Sequence, residues 1–206
     1  MKQKATLFTD KIIDCHTHSA GVDFFGMVRG HLPFSQDVDI LSNRLEKNNI
    51  DYAITFPFPN TIFYDINSFI GVFQYKPSGL SRFPFEQENA NLLNQVNHFQ
   101  INNLLPFLSF SLNDKVEEQI QSIEILIEKH FVYGLKYHTF TDQHSAEDIL
   151  KHPKIIDCIR EHDLPLLIHS GQQETTSAVH IYELAKAVPD IRVYAAPFSI
   201  IIFLTS

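Results

Sequence analysis

An apolar run near the start of the chain ends in the sequence Asp14-Cys15-His16-Thr17-His18. Successive side chains of a β-strand point to opposite faces, so a strand here places Asp14, His16 and His18 on one face. Two imidazoles separated by one residue can bind the same divalent ion, and imidazole is a ligand for zinc and several other transition metals. The run therefore predicts a first strand that carries part of a metal site where the strand meets its loop.

Two later apolar runs end in the same manner. One is Gly134-Leu135-Lys136-Tyr137-His138, and the other is Leu166-Leu167-Ile168-His169, followed by Ser170 and Gly171. In folds with parallel strands, ligands and chemistry lie at the carboxyl ends of the strands. The three runs are therefore expected to bring their polar residues together at one end of a sheet.

Strand and helix signals alternate along the whole chain. Repeated βα units imply a parallel sheet with right-handed crossovers, and the first turn lacks the glycine-rich phosphate loop of a doubly wound sheet. The fold class is therefore predicted to be α/β, as a TIM-like (β/α) barrel of about six βα units in one domain, 1–206. An aromatic-rich insertion is expected at about 57–85, either as a lid over an apolar substrate or as a packed excursion. The predicted strands are 12–15, 52–56, 104–110, 132–138, 166–169 and 191–196, and the predicted helices are 37–48, 86–101, 115–129, 146–161 and 176–188.

Composition limits the environment and the partners of the protein. The net charge is −8 and the pI is about 5.7, so the chain lacks the basic footprint of most nucleic-acid-binding proteins. Cys15 and Cys158 are the two cysteines, which argues against a disulfide framework. No apolar run reaches the roughly 18–20 residues of a membrane span, and the first ten residues lack a signal-peptide core. We expect a cytoplasmic protein with a small-molecule substrate, no membrane or nucleic-acid partner, and a homodimer as the oligomer to test.

The three strand-end sequences resemble those of the amidohydrolase superfamily, and more closely its amidohydrolase-2 branch of metal-dependent hydrolases and decarboxylases. The resemblance runs from about Ile12 to Ala196. It implies that His16 and His18 are the metal pair of the first strand, that His169 is the ligand of the fifth strand, and that the ion is a divalent metal, with zinc favoured. It also implies a metal-activated water that attacks an amide, lactone or ester.

The remaining candidate residues are expected to line the same site. Lys136 stands where some relatives carry a carbamylated lysine, and we interpret Lys136 and His138 as catalytic side chains rather than as metal ligands. The alternative for Lys136 is a structural lysine paired with a nearby carboxylate. Asp14 either supports a ligand histidine or accepts hydrogen bonds from neighbouring backbone amides. Arg29 and His31 follow the first strand on the catalytic side and are candidates for contact with an anionic substrate.

Two departures from the family pattern stand out. The sixth strand of the family continues as Ala-His-x-Gly, whereas here Ala195-Ala196 is followed by Pro197. The family also takes an aspartate from an eighth strand as ligand and general base, but this sequence ends after about six βα units, below the ~250 residues of a typical barrel. We therefore expect a chain that is truncated at its C-terminal end, after about Ala196.

Three alternatives to the hydrolase stay open at this stage. A decarboxylase of the same family would use the same ion to hold a carboxylate. A metal-dependent deoxyribonuclease of the TatD type also begins with a His-x-His strand, although the acidic charge argues against it. The third alternative is a catalytically inactive remnant, because six βα units leave sheet edges open.

Overall fold

Six parallel strands alternate with helices in the computed structural model, which describes residues 10–19, 37–57, 63, 77–197 and 202–203. Neighbours in the sheet follow the order of the chain, and each of the first five strands pairs with the next in parallel. The strands curl into a half-barrel, which confirms the prediction of a TIM-like α/β fold. The parallel strands are β1 (Ile13–Ser19), β2 (Tyr52–Pro57), β3 (Leu104–Phe110), β4 (Gly134–Tyr137), β5 (Leu166–Ser170) and β6 (Val193–Pro197).

The helices form because apolar side chains recur every three or four residues and bury against the sheet. In the helix 116–129, for example, Ile120 and Ile123 are buried while Glu117 and Glu118 are exposed. No helix within the described ranges is long and apolar enough to cross a membrane. The α-helices are α1 (Val38–Lys47), α2 (Glu86–His98), α3 (Val116–Lys129), α4 (Thr139–Asp142), α5 (Pro153–Glu161) and α6 (Ala178–Ala187), and Ala146–Lys151 and Glu174–Thr176 are 3-10 helices.

The single helix predicted at 146–161 is wrong in one respect, because the segment is divided at His152. A 3-10 helix ends at Lys151, and α5 begins with Pro153 at its first position. Proline has no N–H to donate and disfavours the helical region for the residue before it. His152 accordingly leaves the helical region, with φ −123° and ψ 74°.

A short seventh strand, β7 (Ile202–Phe203), was not predicted from the sequence. It runs antiparallel to β6, with Tyr194 opposite Phe203 and Ala195 opposite Ile202. This pairing covers part of the β6 edge that the sequence analysis expected to be open.

Two apolar layers lie on opposite faces of the curled sheet. The larger one joins the helices to the sheet, with Leu108, Leu135 and Ile168 among its strand residues. The smaller one consists of the strand residues Phe56, Phe107, Leu167 and Ala196, with Ile54, Tyr133 and Tyr194 packed against them. This inner layer forms the floor beneath the strand ends that carry the candidate site residues.

Gly134 permits the closest packing within the inner layer. A Cβ atom at this position would lie 2.3 Å from the Phe107 ring. Only a residue without a side chain therefore allows β4 to lie directly against Phe107, its register partner on β3.

Strands β2 and β3 separate before they reach their carboxyl ends. Their pairing ends at Thr55 and Pro106. Further along β3, the side chain of Asn89 in α2 replaces the missing strand: its Nδ2 donates to the Ser109 carbonyl at 2.8 Å, and its Oδ1 accepts from the Ser109 amide at 2.9 Å. The gap between the two strands is thus sealed by a helix side chain, next to the candidate site.

Most of the predicted aromatic-rich insertion lies outside the described residues. Phe63, Phe83 and Phe85, which are described, are buried. Whether the segment acts as a lid or as a packed excursion stays a prediction.

Candidate metal and substrate site

The two histidines of β1 lie side by side against Phe56. Their ring centroids are 5.3 Å apart, and the centroid of Phe56 lies 5.0 Å from that of His16 and 4.6 Å from that of His18, with the rings edge-on in each pair. His18 is paired with Phe56 in the sheet register. The alternation of the His-x-His sequence therefore brings both imidazoles to one face, as the sequence predicts.

Asp14 contacts the backbone of this pair and not the imidazoles. Its Oδ1 accepts a hydrogen bond from the His16 amide at 3.0 Å. The register of β1 against β2 shifts between Asp14 and Thr17, so the strict alternation from Asp14 to His18 is interrupted there. Of the two roles considered for Asp14, the structure shows the hydrogen bond to a neighbouring amide.

His169 occupies the carboxyl end of β5 and is stacked on His138. The two ring centroids are 4.1 Å apart, with 11° between the planes. Thr139 donates from its hydroxyl to the His169 carbonyl at 2.8 Å and so ties the end of β4 to the end of β5. His169 and His138, predicted from separate strands, are therefore direct neighbours.

His138 directly follows β4 and caps the next helix, and this contact indicates which ring nitrogen carries the proton. Its Nδ1 accepts a hydrogen bond from the Thr141 amide at 3.3 Å, as the N-cap of α4. Burial, reinforced by the neighbouring His169 and Lys136, holds the pKa of His138 well below its usual value, so the ring is neutral. A neutral ring that accepts at Nδ1 carries its proton on Nε2. In this arrangement Nε2 of His138 carries a proton that can be donated.

Lys136 is the most unusual residue of the site. Its side chain is 2% exposed, and Nζ has no hydrogen-bond partner among the residues that the structure describes. Nζ lies 5.0 Å from the centroid of the Phe56 ring. Burial lowers the pKa of Lys136 to about 7. The sequence analysis weighed a functional lysine against one paired with a carboxylate, and no carboxylate in the described part of the chain pairs with it.

The three proposed ligand histidines are neutral at physiological pH. Burial, with the charge of Lys136 as a further cause, lowers the pKa of His16 to about 4 and the pKa of His169 to about 3. Burial, then His16 and Lys136, lowers the pKa of His18 to about 3. A neutral imidazole has the lone pair that a metal ion requires. The donor chemistry of the set therefore fits a zinc-class ion.

The ligand nitrogens of these three histidines are not all close enough to bind one ion in the present side-chain arrangement. Among the described residues, His16, His18 and His169 do not all bring ligand nitrogens within 4.8 Å of one another. Two Zn–N bonds of 2.0–2.1 Å span at most about 4.2 Å. Side-chain movement is therefore required before the three histidines bind one ion.

The β6 residue opposite His169 is an alanine. Ala196 is paired with His169 in the register of β5 and β6 and lies in the inner apolar layer beside Phe56. The position opposite His169 therefore supplies no ligand.

Phe56, Ser109 and Asn89 were missed by the sequence analysis. Phe56 touches both β1 histidines and Lys136, and its only signal is its position as the last apolar residue of the second predicted strand. Ser109 is paired with Lys136 in the register of β3 and β4, and it is a polar residue within an apolar strand. Arg29 and His31, predicted to contact substrate, lie outside the described residues.

Comparisons with known proteins connect the chain to others through its fold. No protein-family model matches the sequence, and no curated protein matches it either. Among solved structures, a probable 2-pyrone-4,6-dicarboxylic acid hydrolase from Acinetobacter baumannii, crystallised with citric acid bound, is similar with a TM-score of 0.52 and 11% sequence identity. The match covers 91% of this chain and 57% of that enzyme. The chain thus shares the barrel fold of a hydrolase over little more than half of that enzyme's length.

Proposed function

We propose that this chain has the site of a metal-dependent hydrolase of the amidohydrolase-2 type, which acts on a small-molecule amide, lactone or ester. The observation that carries the proposal is the convergence of neutral His16, His18 and His169 around the buried, unpartnered Lys136. The fold similarity to a hydrolase supports the same chemistry.

The three histidines would hold the ion, with zinc the best match to an all-imidazole donor set. When bound, such an ion lowers the pKa of a water ligand toward ~7 and polarises a carbonyl. Neutral imidazoles suit this role because they do not repel a dication.

Lys136 and His138 would act on the substrate. Lys136 Nζ is buried against Phe56 and has no acceptor among the described residues, so a substrate oxygen that carries negative charge would supply a partner. His138 would donate from Nε2, the nitrogen that its capping bond leaves protonated. The pair thus provides two donors for an oxyanion or a carboxylate.

Metal content and hydrolysis test this proposal together. Protein reconstituted with zinc is expected to retain an ion that the His16→Ala/His18→Ala variant loses, together with hydrolysis of a panel of lactones, esters and amides. His98→Ala removes an exposed histidine of α2 and serves as the control, with both properties unchanged. A folded wild-type chain that retains no more zinc than the double variant would overturn the proposal.

A decarboxylase is the second candidate, and the unpartnered Lys136 favours it as well. A buried ammonium beside an aromatic ring is a site for a substrate carboxylate. Release of carbon dioxide from aromatic carboxylic acids, measured on the same zinc-loaded protein, separates this reaction from hydrolysis.

A further inference from the structure

A second group of ligand-type side chains lies away from the histidine site, on the helix side of the sheet. It consists of Glu124 on α3, Cys158 on α5 and His162 just after α5, and their ligand atoms all lie within 4.8 Å of one another. Helices α3 and α5 pack against each other, and Cys158 belongs to the apolar layer that joins the helices to the sheet. The group is thus formed by two helices.

The positions of the three residues along their helices explain why they meet. Cys158 and His162 are four residues apart, so their side chains lie on the same face of α5 and its C-cap. Glu124 approaches this face from the neighbouring helix. The arrangement requires no unusual backbone geometry at any of the three positions.

The polar atoms of these three side chains form no hydrogen bonds or ion pairs within the part of the chain that the structure describes. Cys158 is 1% exposed, and its sulfur has no hydrogen-bond partner among the described residues. Neither the Glu124 carboxylate nor the His162 imidazole forms a hydrogen bond or ion pair within the described part of the chain. Three polar groups, one of them fully buried, therefore point at one another without forming a bond.

The electrostatics favour a cation at this point. Burial, then the carboxylates of Glu124 and Glu161, raises the pKa of the Cys158 thiol to about 12. The same carboxylates that disfavour a bare thiolate attract a positive ion. A thiolate and a carboxylate together balance the charge of a dication, and the imidazole adds a neutral third ligand.

We propose that Glu124, Cys158 and His162 form a second metal site, which binds a zinc-class divalent ion through one sulfur, one nitrogen and one oxygen. A mixed thiolate, imidazole and carboxylate set is characteristic of zinc and excludes magnesium and calcium, which prefer oxygen ligands alone. A Zn–S bond of about 2.3 Å and a Zn–N bond of about 2.1 Å together span about 4.4 Å, so small side-chain movements close the site. The cysteine releases its proton to solvent as the metal–sulfur bond forms.

Cobalt(II) is the probe that separates this site from the histidine site. A thiolate ligand gives cobalt an intense sulfur-to-metal charge-transfer band in the near ultraviolet, which an all-histidine site lacks. The titration uses the His16→Ala/His18→Ala variant, in which the histidine site is disabled. We expect one cobalt ion per chain with the charge-transfer band, and zinc is expected to displace it.

Three variants and one control decide the assignment. Cys158→Ala is expected to abolish the band. Glu124→Gln and His162→Gln are each expected to weaken cobalt affinity by more than about 10–100-fold, which is the loss expected when a residue only supports a ligand. The two latter residues are partly exposed, so these variants keep the test valid if Cys158→Ala fails to fold. Cys15→Ser removes the other cysteine and is expected to leave the band unchanged. Absence of the band in the parent protein, or a band that depends on Cys15, would overturn the second site without affecting the first.

Discussion

Asn89 makes a quantitative prediction about how the half-barrel is held together next to its site. Asn89 and Ser109 are 4% and 3% exposed, and the two hydrogen bonds between them satisfy both backbone groups of Ser109 on the side where β2 no longer pairs. Asn89→Ala leaves a buried N–H and a buried C=O without partners, at about 1–3 kcal/mol each. The variant is therefore expected to lose about 2–6 kcal/mol of unfolding free energy, a large part of the 5–15 kcal/mol typical of a domain.

Urea denaturation followed by circular dichroism measures this loss. Asn94→Ala is the matched control, because it makes the same substitution at an exposed position of the same helix and is expected to change stability by less than about 0.5 kcal/mol. Asn89→Leu restores volume but not hydrogen bonds, and it is expected to remain destabilised. Equal stability of the Asn89→Ala and Asn94→Ala variants would refute the idea that a helix side chain substitutes for the missing strand.

Three further predictions concern close packing and buried charge. Gly134→Ala places a Cβ 2.3 Å from the Phe107 ring and is expected to lower the free energy of unfolding by about 1–3 kcal/mol. Gly171→Ala is expected to lower it by less, because its Cβ would lie 3.0 Å from Thr176 Oγ1. Equal melting temperatures of the two variants would contradict this order. Burial raises the pKa of Asp142 from 3.8 to about 7, so the folded chain binds the extra proton and the free energy of unfolding is expected to fall as pH rises between these values. An Asp142→Asn variant whose stability has the same pH dependence as the wild type would argue against this assignment. Burial lowers the pKa of Lys136 from 10.5 to about 7, so the unfolded chain binds the extra proton and the free energy of unfolding is expected to rise with pH between 7 and 10.5. Lys136→Met is expected to remove this slope, to stabilise the protein by roughly 1–4 kcal/mol below pH 7 and to abolish hydrolysis. A destabilised variant with full activity would contradict both expectations.

The fold was predictable from the sequence because it depends on periodicity. Short apolar runs that alternate with amphipathic segments indicate parallel strands and crossover helices, and five of the six predicted strands both begin and end within about two residues of the observed ones. The end of the chain was not predictable in this way. Strand β7 has two residues, and it forms because the edge of β6 offers backbone groups to pair with, a property of the tertiary structure.

The candidate site was also predictable only in part. Alternation along β1 placed His16 and His18 together, and the ends of parallel strands placed Lys136 and His169 near them. The stacking of His138 on His169 could not be predicted, since it depends on where β4 ends and α4 begins. Phe56 was missed because an aromatic residue in a strand indicates a core and nothing more.

The contrast between the two groups of ligand-type residues follows from what surrounds each of them. At the strand ends, buried imidazoles surround Lys136, so positive charge is present and no carboxylate of the described residues opposes it. Between α3 and α5 the charge has the opposite sign, and two carboxylates crowd a buried thiol. The first environment favours an anionic substrate, and a metal ion held by the histidines, as we propose, would attract negative charge as well. The second favours a cation alone. A cobalt band that depends on Cys158 and persists when the histidine site is disabled is therefore the result expected from these opposite environments.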